Sequence, residues 1–194
     1  MIRAGFTFEH PATKTKTVVL ESDAETNGMG WLLEVTRTSK LGSDLGEHLH
    51  QTWTETFEII KGTAKYKLDG IERIAKAGES FVVEPGHFHL HPWNATDEEL
   101  VYRQRDHFAK PSPAAVQDIL GIFATRTGMA LDRTRPKKGV AKLFQEAVTV
   151  RTAIKHGNYM ASPSMVAQKI LGSTLGLLGE ILGYRAVYPK YVGE

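Results

Sequence analysis

The sequence predicts a mainly β domain over residues 1–110, an antiparallel sandwich or barrel, followed by a helical extension over residues 111–194. Three observations carry this reading. Short runs rich in β-branched and aromatic residues recur between turn residues from position 4 to about position 106. The tetrapeptide Lys110-Pro111-Ser112-Pro113 then ends that pattern, because proline removes a ladder donor and restricts its predecessor. Beyond it the apolar spacing becomes helical.

The candidate strands are 16–21, 31–36, 55–61, 64–68, 72–75, 80–83, 87–91 and 99–105. Asp69-Gly70, between Tyr66-Lys67-Leu68 and Ile71-Glu72-Arg73, marks a two-residue hairpin, since both residues tolerate positive φ. In the extension, Ser112 caps a first helix with Pro113 at its first position and Val116, Ile119, Leu120 and Phe123 as its stripe, stopping at Gly128. A second helix is expected over about 138–156, with Val140, Leu143, Phe144, Ala147, Val148 and Ile154 inward and Gly157 after its end. A third starts near Ser162-Pro163 and reaches about Gly183.

Gly172, Gly176, Gly179 and Gly183 recur along that third helix at steps of four, three and four, so they share one face. Each internal glycine costs a helix about 1 kcal/mol relative to alanine, and a stripe of them suggests close approach by another backbone. Packing against the barrel or a homodimer partner is the first reading. Lys169 and Glu180 lie within the stretch a transmembrane span would need. The basic residues between positions 126 and 155 leave peripheral membrane contact as the sharper alternative.

Hydrophobic residues at 41% and charged residues at 24% match an ordinary globular chain and argue against disorder; 194 residues suffice for one principal core. Net charge is +2, but residues 1–110 carry 13 lysines and arginines against 17 acidic residues, while residues 111–194 carry 11 against 5. That balance, with no recognition-helix pattern, argues against nucleic acid as a partner. Phosphate-binding glycine loops and nucleophile elbows are absent from the sequence. The first residues lack the apolar run of a signal peptide, so a cytoplasmic location is expected. There is no cysteine, so a metal would be held by nitrogen and oxygen.

Donors of that kind are concentrated in two places. His48 and His50, one residue apart, point to the same face of a strand, and Glu55 returns to them if the chain bends between. Gly86-His87-Phe88-His89-Leu90-His91 offers a second set, with all three histidines on one parity. The frame Gly42-x5-His48-x-His50-x4-Glu55-x6-Gly62 resembles the first motif of the cupin superfamily at every fixed position. Gly78, Gly86, His89 and Asn94 resemble the second motif, with two departures. Glu84 stands where proline is usual, with Pro85 displaced by one, and four residues separate His89 from Asn94.

The resemblance implies a jelly-roll barrel holding one divalent transition metal, Fe, Mn, Ni, Co or Zn, on His48, His50, Glu55 and His89. It also implies a homodimer. Glu55 could shuttle a proton as well as ligate. His87 and His91 are candidates for a general base or a supporting partner, Trp53, Trp93 and Asn94 for the pocket wall, and Glu84 for either solvent or the site. Three functions fit: an oxygenase-type metalloenzyme on a small organic substrate, a non-enzymatic small-ligand module attached to a partner or membrane by basic helices, and a metal-dependent isomerase or lyase.

Overall fold

The computed structural model describes residues 1–43 and 45–193. In chain order the strands are β1 (Thr7–His10), β2 (Thr15–Glu21), β3 (Gly30–Arg37), β4 (His48–His50), β5 (Trp53–Lys61), β6 (Thr63–Leu68), β7 (Ile71–Lys76), β8 (Ser80–Val83), β9 (His89–Asn94), β10 (Leu100–Phe108) and β11 (Asn158–Met160). They form two antiparallel sheets, β1-β2-β3-β10-β5-β8 and β11-β4-β9-β6-β7, the double-layered jelly roll that the sequence predicts.

Period-two patterning decides which residues enter the space between the sheets. Trp53, Glu55, Phe57 and Ile59 of β5 are buried while their neighbours are not, and Leu100, Tyr102, Gln104, Asp106 and Phe108 of β10 do the same. Most of each set is apolar and forms the core; Glu55, Gln104 and Asp106 are the polar members. Asp69 and Gly70 both have positive φ, and Leu68 pairs with Ile71, so the predicted hairpin turn is present.

The extension comprises α1 (Pro113–Leu131), α2 (Gly139–Lys155), β11, α3 (Met165–Leu171), a π-helical turn (Gly172–Gly176) and α4 (Leu177–Ile181), then a short 3-10 turn (Pro189–Tyr191). Three expectations need correction. Helix α1 runs past Gly128, because that glycine admits the Tyr191 ring: a Cβ there would lie 2.3 Å from the ring. Val140 and Leu143 are exposed rather than inward, leaving Phe144, Ala147 and Val148 as the packed stripe of α2. The third helix is capped by Ser164, whose Oγ accepts from the Ala167 N–H, and is interrupted by the π turn. Ser173 and Thr174 hydroxyls both donate to the Ile170 carbonyl there, competing with the regular helix ladder.

Three of the four glycines of the stripe, Gly172, Gly176 and Gly179, face α2, whereas Gly183 lies beyond the end of α4 at φ near +91° and meets nothing. A Cβ on Gly176 would lie 2.8 Å from the Ala147 carbonyl oxygen, and one on Gly172 would lie 3.2 Å from Arg151 Cα. Close backbone approach is therefore its purpose, with a second helix of the same chain as the partner. Ile170, Leu177, Leu178, Ile181 and Leu182 remain exposed on the other side. Three basic side chains of the stretch pair within the extension: Arg135 with Glu146, Arg151 with Glu180 and Lys155 with Asp118. No helix among the described residues is long and apolar enough to cross a membrane.

The extension is joined to the barrel through its backbone. Strand β11 pairs with β4, Tyr159 opposite Leu49, and Gln51 N–H donates to the Gly157 carbonyl. At the other end of α1, Gln117 bonds both the N–H and the carbonyl of Ile2. The barrel strand that carries His48 and His50 thus lies between β9 and a strand contributed by the extension.

Candidate metal centre

Histidines and carboxylate reach the site from opposite sheets. His48 and His50 occupy β4, His89 and His91 occupy β9, and all four are buried on the inner face of the five-stranded sheet. His48 and His89 are direct register partners. Glu55, on β5 of the other sheet, faces them with its side chain about 2% exposed. Its Oε2 lies 2.8 Å from His89 Nε2 and 3.4 Å from His50 Nε2, and its Oε1 lies 3.2 Å from His91 Nε2.

Backbone carbonyls fix how these rings are protonated. His48 Nδ1 lies 2.9 Å from the Gly46 carbonyl oxygen, His50 Nδ1 2.7 Å from that of Trp53, and His89 Nδ1 3.1 Å from that of His87. A carbonyl can only accept, so each Nδ1 carries the proton and each Nε2 presents a lone pair. Three lone pairs and a carboxylate then converge in a buried space, an arrangement that repels itself unless a cation sits among them. Nε2 of His89 and of His91 are buried without a hydrogen-bond partner, despite their closeness to Glu55. Donors about 2.1 Å from a shared ion lie roughly 3.0 to 3.4 Å apart, and the observed nitrogen–oxygen separations span that range. Two ligand triads, His50–Glu55–His89 and His48–His89–His91, share His89. The donor set therefore fits a borderline transition-metal ion.

The electrostatics agree. Burial holds His48 well below the ordinary imidazole value, so it is neutral and ready to ligate. Burial alone would raise the Glu55 carboxyl, but the facing His91 and His89 bring it well below the usual range. His89 is raised: burial opposes its charge, and Glu55 outweighs burial. A raised imidazole keeps its proton to higher pH, and a metal must displace that proton. Affinity for Zn2+ is therefore expected to fall as pH drops, with the onset above the ordinary value of 6.5. Isothermal titration between about pH 8 and pH 5.5 checks this, and an affinity constant across that range would contradict the displacement.

Two polar residues beside Glu55 carry no motif signature. Gln104 Nε2 donates to Glu55 Oε1 at 2.6 Å and to Asp106 Oδ2 at 2.9 Å, clamping the carboxylate from the neighbouring strand. Asp106, the register partner of Glu55, is pushed well above the usual carboxylate range by burial and by the Glu55 charge. The sequence did hold a signal for both. Arg103 and Arg105 require the outer parity of β10, which turns Gln104 and Asp106 inward.

The remaining candidates separate clearly. His91 is inward with the ligands. His87 is not, because β9 begins only at His89 and the parity does not extend into the preceding turn. There His87 Nδ1 lies 2.7 Å from Asp69 Oδ2, with the side chain about half exposed. Trp53 stacks on His50, ring centroids 4.5 Å apart, and forms the wall behind it. Trp93 shares the parity of His89 and His91, but an irregularity in the β6–β9 register between Leu90 and Trp93 reverses the faces of the strand, and Trp93, opposite Lys65, does not enter the site. Asn94 is buried but donates to the Arg37 carbonyl, and its Oδ1 accepts from the Thr96 N–H, so it shapes a turn rather than the pocket. Glu84 is exposed and accepts a bond from the Thr54 hydroxyl.

Residues 38–102 match the family model described as a cupin domain, Cupin_2. Over that third of its length the chain is similar to cupin domains. The matched third of the sequence contains His48, His50, His89, His91 and Glu55 but neither Gln104 nor Asp106. Solved structures similar to this chain include a predicted oxalate decarboxylase from Thermotoga maritima, at 18% identity and TM-score 0.46, covering 55% of this chain and 93% of that one. A double-stranded β-helix protein from Klebsiella pneumoniae has 19% identity and TM-score 0.43, covering 54% and 87%. The cupin domain of an XRE-family transcriptional regulator from Enterobacter cloacae has 13% identity and TM-score 0.43, covering 50% and 98%. No curated protein matches the chain.

Proposed function

We propose that this chain is a metal-dependent enzyme of oxygenase type acting on a small organic substrate. One divalent transition metal would be held by Nε2 of His48, His50 and His89 and by the Glu55 carboxylate, with His91 beside them. The observation that carries the reading is the convergence of carbonyl-oriented imidazoles on one buried carboxylate. When bound, such an ion supplies Lewis acidity and open positions for substrate or dioxygen.

The chain's own residues do the rest. Trp53 holds the His50 ring in place by stacking and by its carbonyl. Gln104 fixes the rotation of the Glu55 carboxylate. Asp106, pushed well above the usual carboxylate range by burial and by its neighbour's charge, is the group beside Glu55 best disposed to hold a proton. The enclosing sheets exclude bulk water, which strengthens each of these interactions.

Metal analysis of protein purified without chelator, paired with oxygen-consumption assays under aerobic and anaerobic conditions, tests the proposal. About one equivalent of Fe, Mn, Ni, Co or Zn per chain is expected, with turnover of a small organic substrate that stops when dioxygen is removed. Turnover that continues without dioxygen would replace the oxygenase with an isomerase or lyase. Absence of any transition metal would overturn the metalloenzyme.

A further inference from the structure

The four described acidic residues of the helical extension each pair with cations of that same extension: Asp118 with His156 and Lys155, Asp132 with Lys190, Glu146 with Arg135, and Glu180 with Arg151. The excess of positive charge gathers elsewhere, in the link between α1 and α2 and the first turn of α2. From Arg133 to Lys142 the chain holds Arg133, Arg135, Lys137, Lys138 and Lys142 with no acidic residue among them. All but Arg135 are exposed. Arg133, Lys137 and Lys142 border one open cleft beside His10, Pro11 and Ala12 of the barrel, and no described lining residue of that cleft is acidic.

An apolar surface lies beside this basic stretch. Gly172, Gly176 and Gly179 pack against Arg151, Ala147 and Val148 in turn, so α3, the π turn and α4 run antiparallel to α2 and bring the end of α4 beside the start of α2. Tyr184 against Phe144, ring centroids 5.7 Å apart, and the bond from Gln145 Nε2 to the Arg185 carbonyl hold that end together. With the glycine face packed on α2, Val166, Ile170, Leu177, Leu178, Ile181 and Leu182 turn outward, each between 44% and 73% exposed. Lys169 and Glu180 are the only charged residues from 165 to 182, and Arg151 engages Glu180. A helix apolar on both faces is ordinarily buried on both. Val140 and Leu143 at the start of α2 are exposed as well, so apolar side chains interleave with the lysines.

Whatever covers this surface must accept leucines and isoleucines together with a row of cations. A second copy fits poorly, because two-fold contact sets the same basic stretch against itself. An anionic lipid surface supplies both partners, headgroup phosphates for the lysines and arginines and acyl chains for the apolar ridge. The barrel adds orientation. With 17 acidic residues against 13 lysines and arginines over residues 1–110, it is repelled by the surface that attracts the extension.

We propose that the helical extension is a peripheral anchor for an anionic membrane. The helix from α3 to α4 lies in the headgroup layer with its apolar face toward the acyl chains, and Arg133, Lys137, Lys138 and Lys142 meet the phosphates beside it. This contact is independent of any metal in the barrel.

Flotation of the full-length protein with vesicles of phosphatidylcholine alone, or with about 30% phosphatidylserine, tests it at about 0.05 M and 0.5 M salt. Co-flotation is expected with the anionic vesicles at low salt, and at least about tenfold weaker partitioning is expected on neutral vesicles or at high salt. Lys137→Glu/Lys138→Glu/Lys142→Glu should lower partitioning by about a hundredfold, since each cation near such a surface contributes about fivefold. Should that variant fail to fold, the lipid and salt comparisons on the wild-type protein decide.

Because the chain has no cysteine, a single one can be placed to report insertion. Ile181→Cys labelled with nitrobenzoxadiazole should shift its emission to the blue on anionic vesicles, whereas Ile74→Cys on β7 of the barrel, also exposed, should not. Absence of flotation at low salt, equal flotation with neutral vesicles, or an unshifted label at position 181 overturns the inference. So does a dimer in lipid-free buffer that already shields that label, since a second copy is then the occupant.

Discussion

His89→Ala is expected to lower metal affinity by at least about a hundredfold, leaving protein dialysed against metal-free buffer without its ion. His89 is the one residue common to both ligand triads, and its Nε2 makes the shortest approach to Glu55 in the cluster, 2.8 Å. Its loss removes a donor from each triad. It also removes one of the two facing imidazoles that keep the Glu55 carboxyl low, so burial regains its influence and that ligand is harder to ionise. His87→Ala is the matched control. It lies two residues away, half exposed and paired with Asp69, and its replacement should leave metal content unchanged. Plasma emission analysis of both variants decides the matter: one equivalent of metal retained by His89→Ala, or its loss from His87→Ala, would mean that the converging nitrogens are not the ligands.

Gly30→Ala is expected to destabilise the fold by about 3 to 5 kcal/mol, lowering the thermal midpoint by roughly 10 °C. Gly30 opens β3 at φ near +150°, where side chains are rarely tolerated, and a Cβ there would lie 1.8 Å from the Asp106 carbonyl oxygen. That contact is with backbone, so no rotamer change relieves it. β3 must therefore draw away from β10 at the residue whose side chain shares Gln104 with Glu55. Weaker metal binding should accompany the loss of stability, although Gly30 touches no ligand. Thermal unfolding monitored by circular dichroism checks it, and a midpoint within about 2 °C of wild type would refute the close-approach argument.

These two variants mark where sequence reasoning was strong and where it was weak. His48, His50, Glu55 and His89 were legible because ligand chemistry requires fixed residue types at spacings that local strand geometry sets. The parity argument for His87 failed because it assumed a strand two residues before one forms, and strand boundaries depend on partners that are remote in sequence. Gln104 and Asp106 went unread although the flanking arginines turn them inward. Most of the strands were readable from alternation. β11 was not: Asn158-Tyr159-Met160 is too short for any period to show, and its pairing with β4 is a long-range contact. The glycine stripe announced a close backbone contact, but only the fold shows that α2 makes it.

That long-range pairing bears on the order in which the protein matures. The strand carrying His48 and His50 has one neighbour, β9, available early in synthesis, while the other, β11, follows only after α1 and α2. Pairings between residues so distant along the chain form slowly, since the intervening chain must be ordered first. The nascent barrel therefore waits with an unpaired edge beside its histidines, and the strand that covers this edge arrives with the C-terminal third of the chain. Capture of the proposed ion would then be a late event, coupled to docking of the extension, and a truncated product would expose its imidazoles and a sheet edge together.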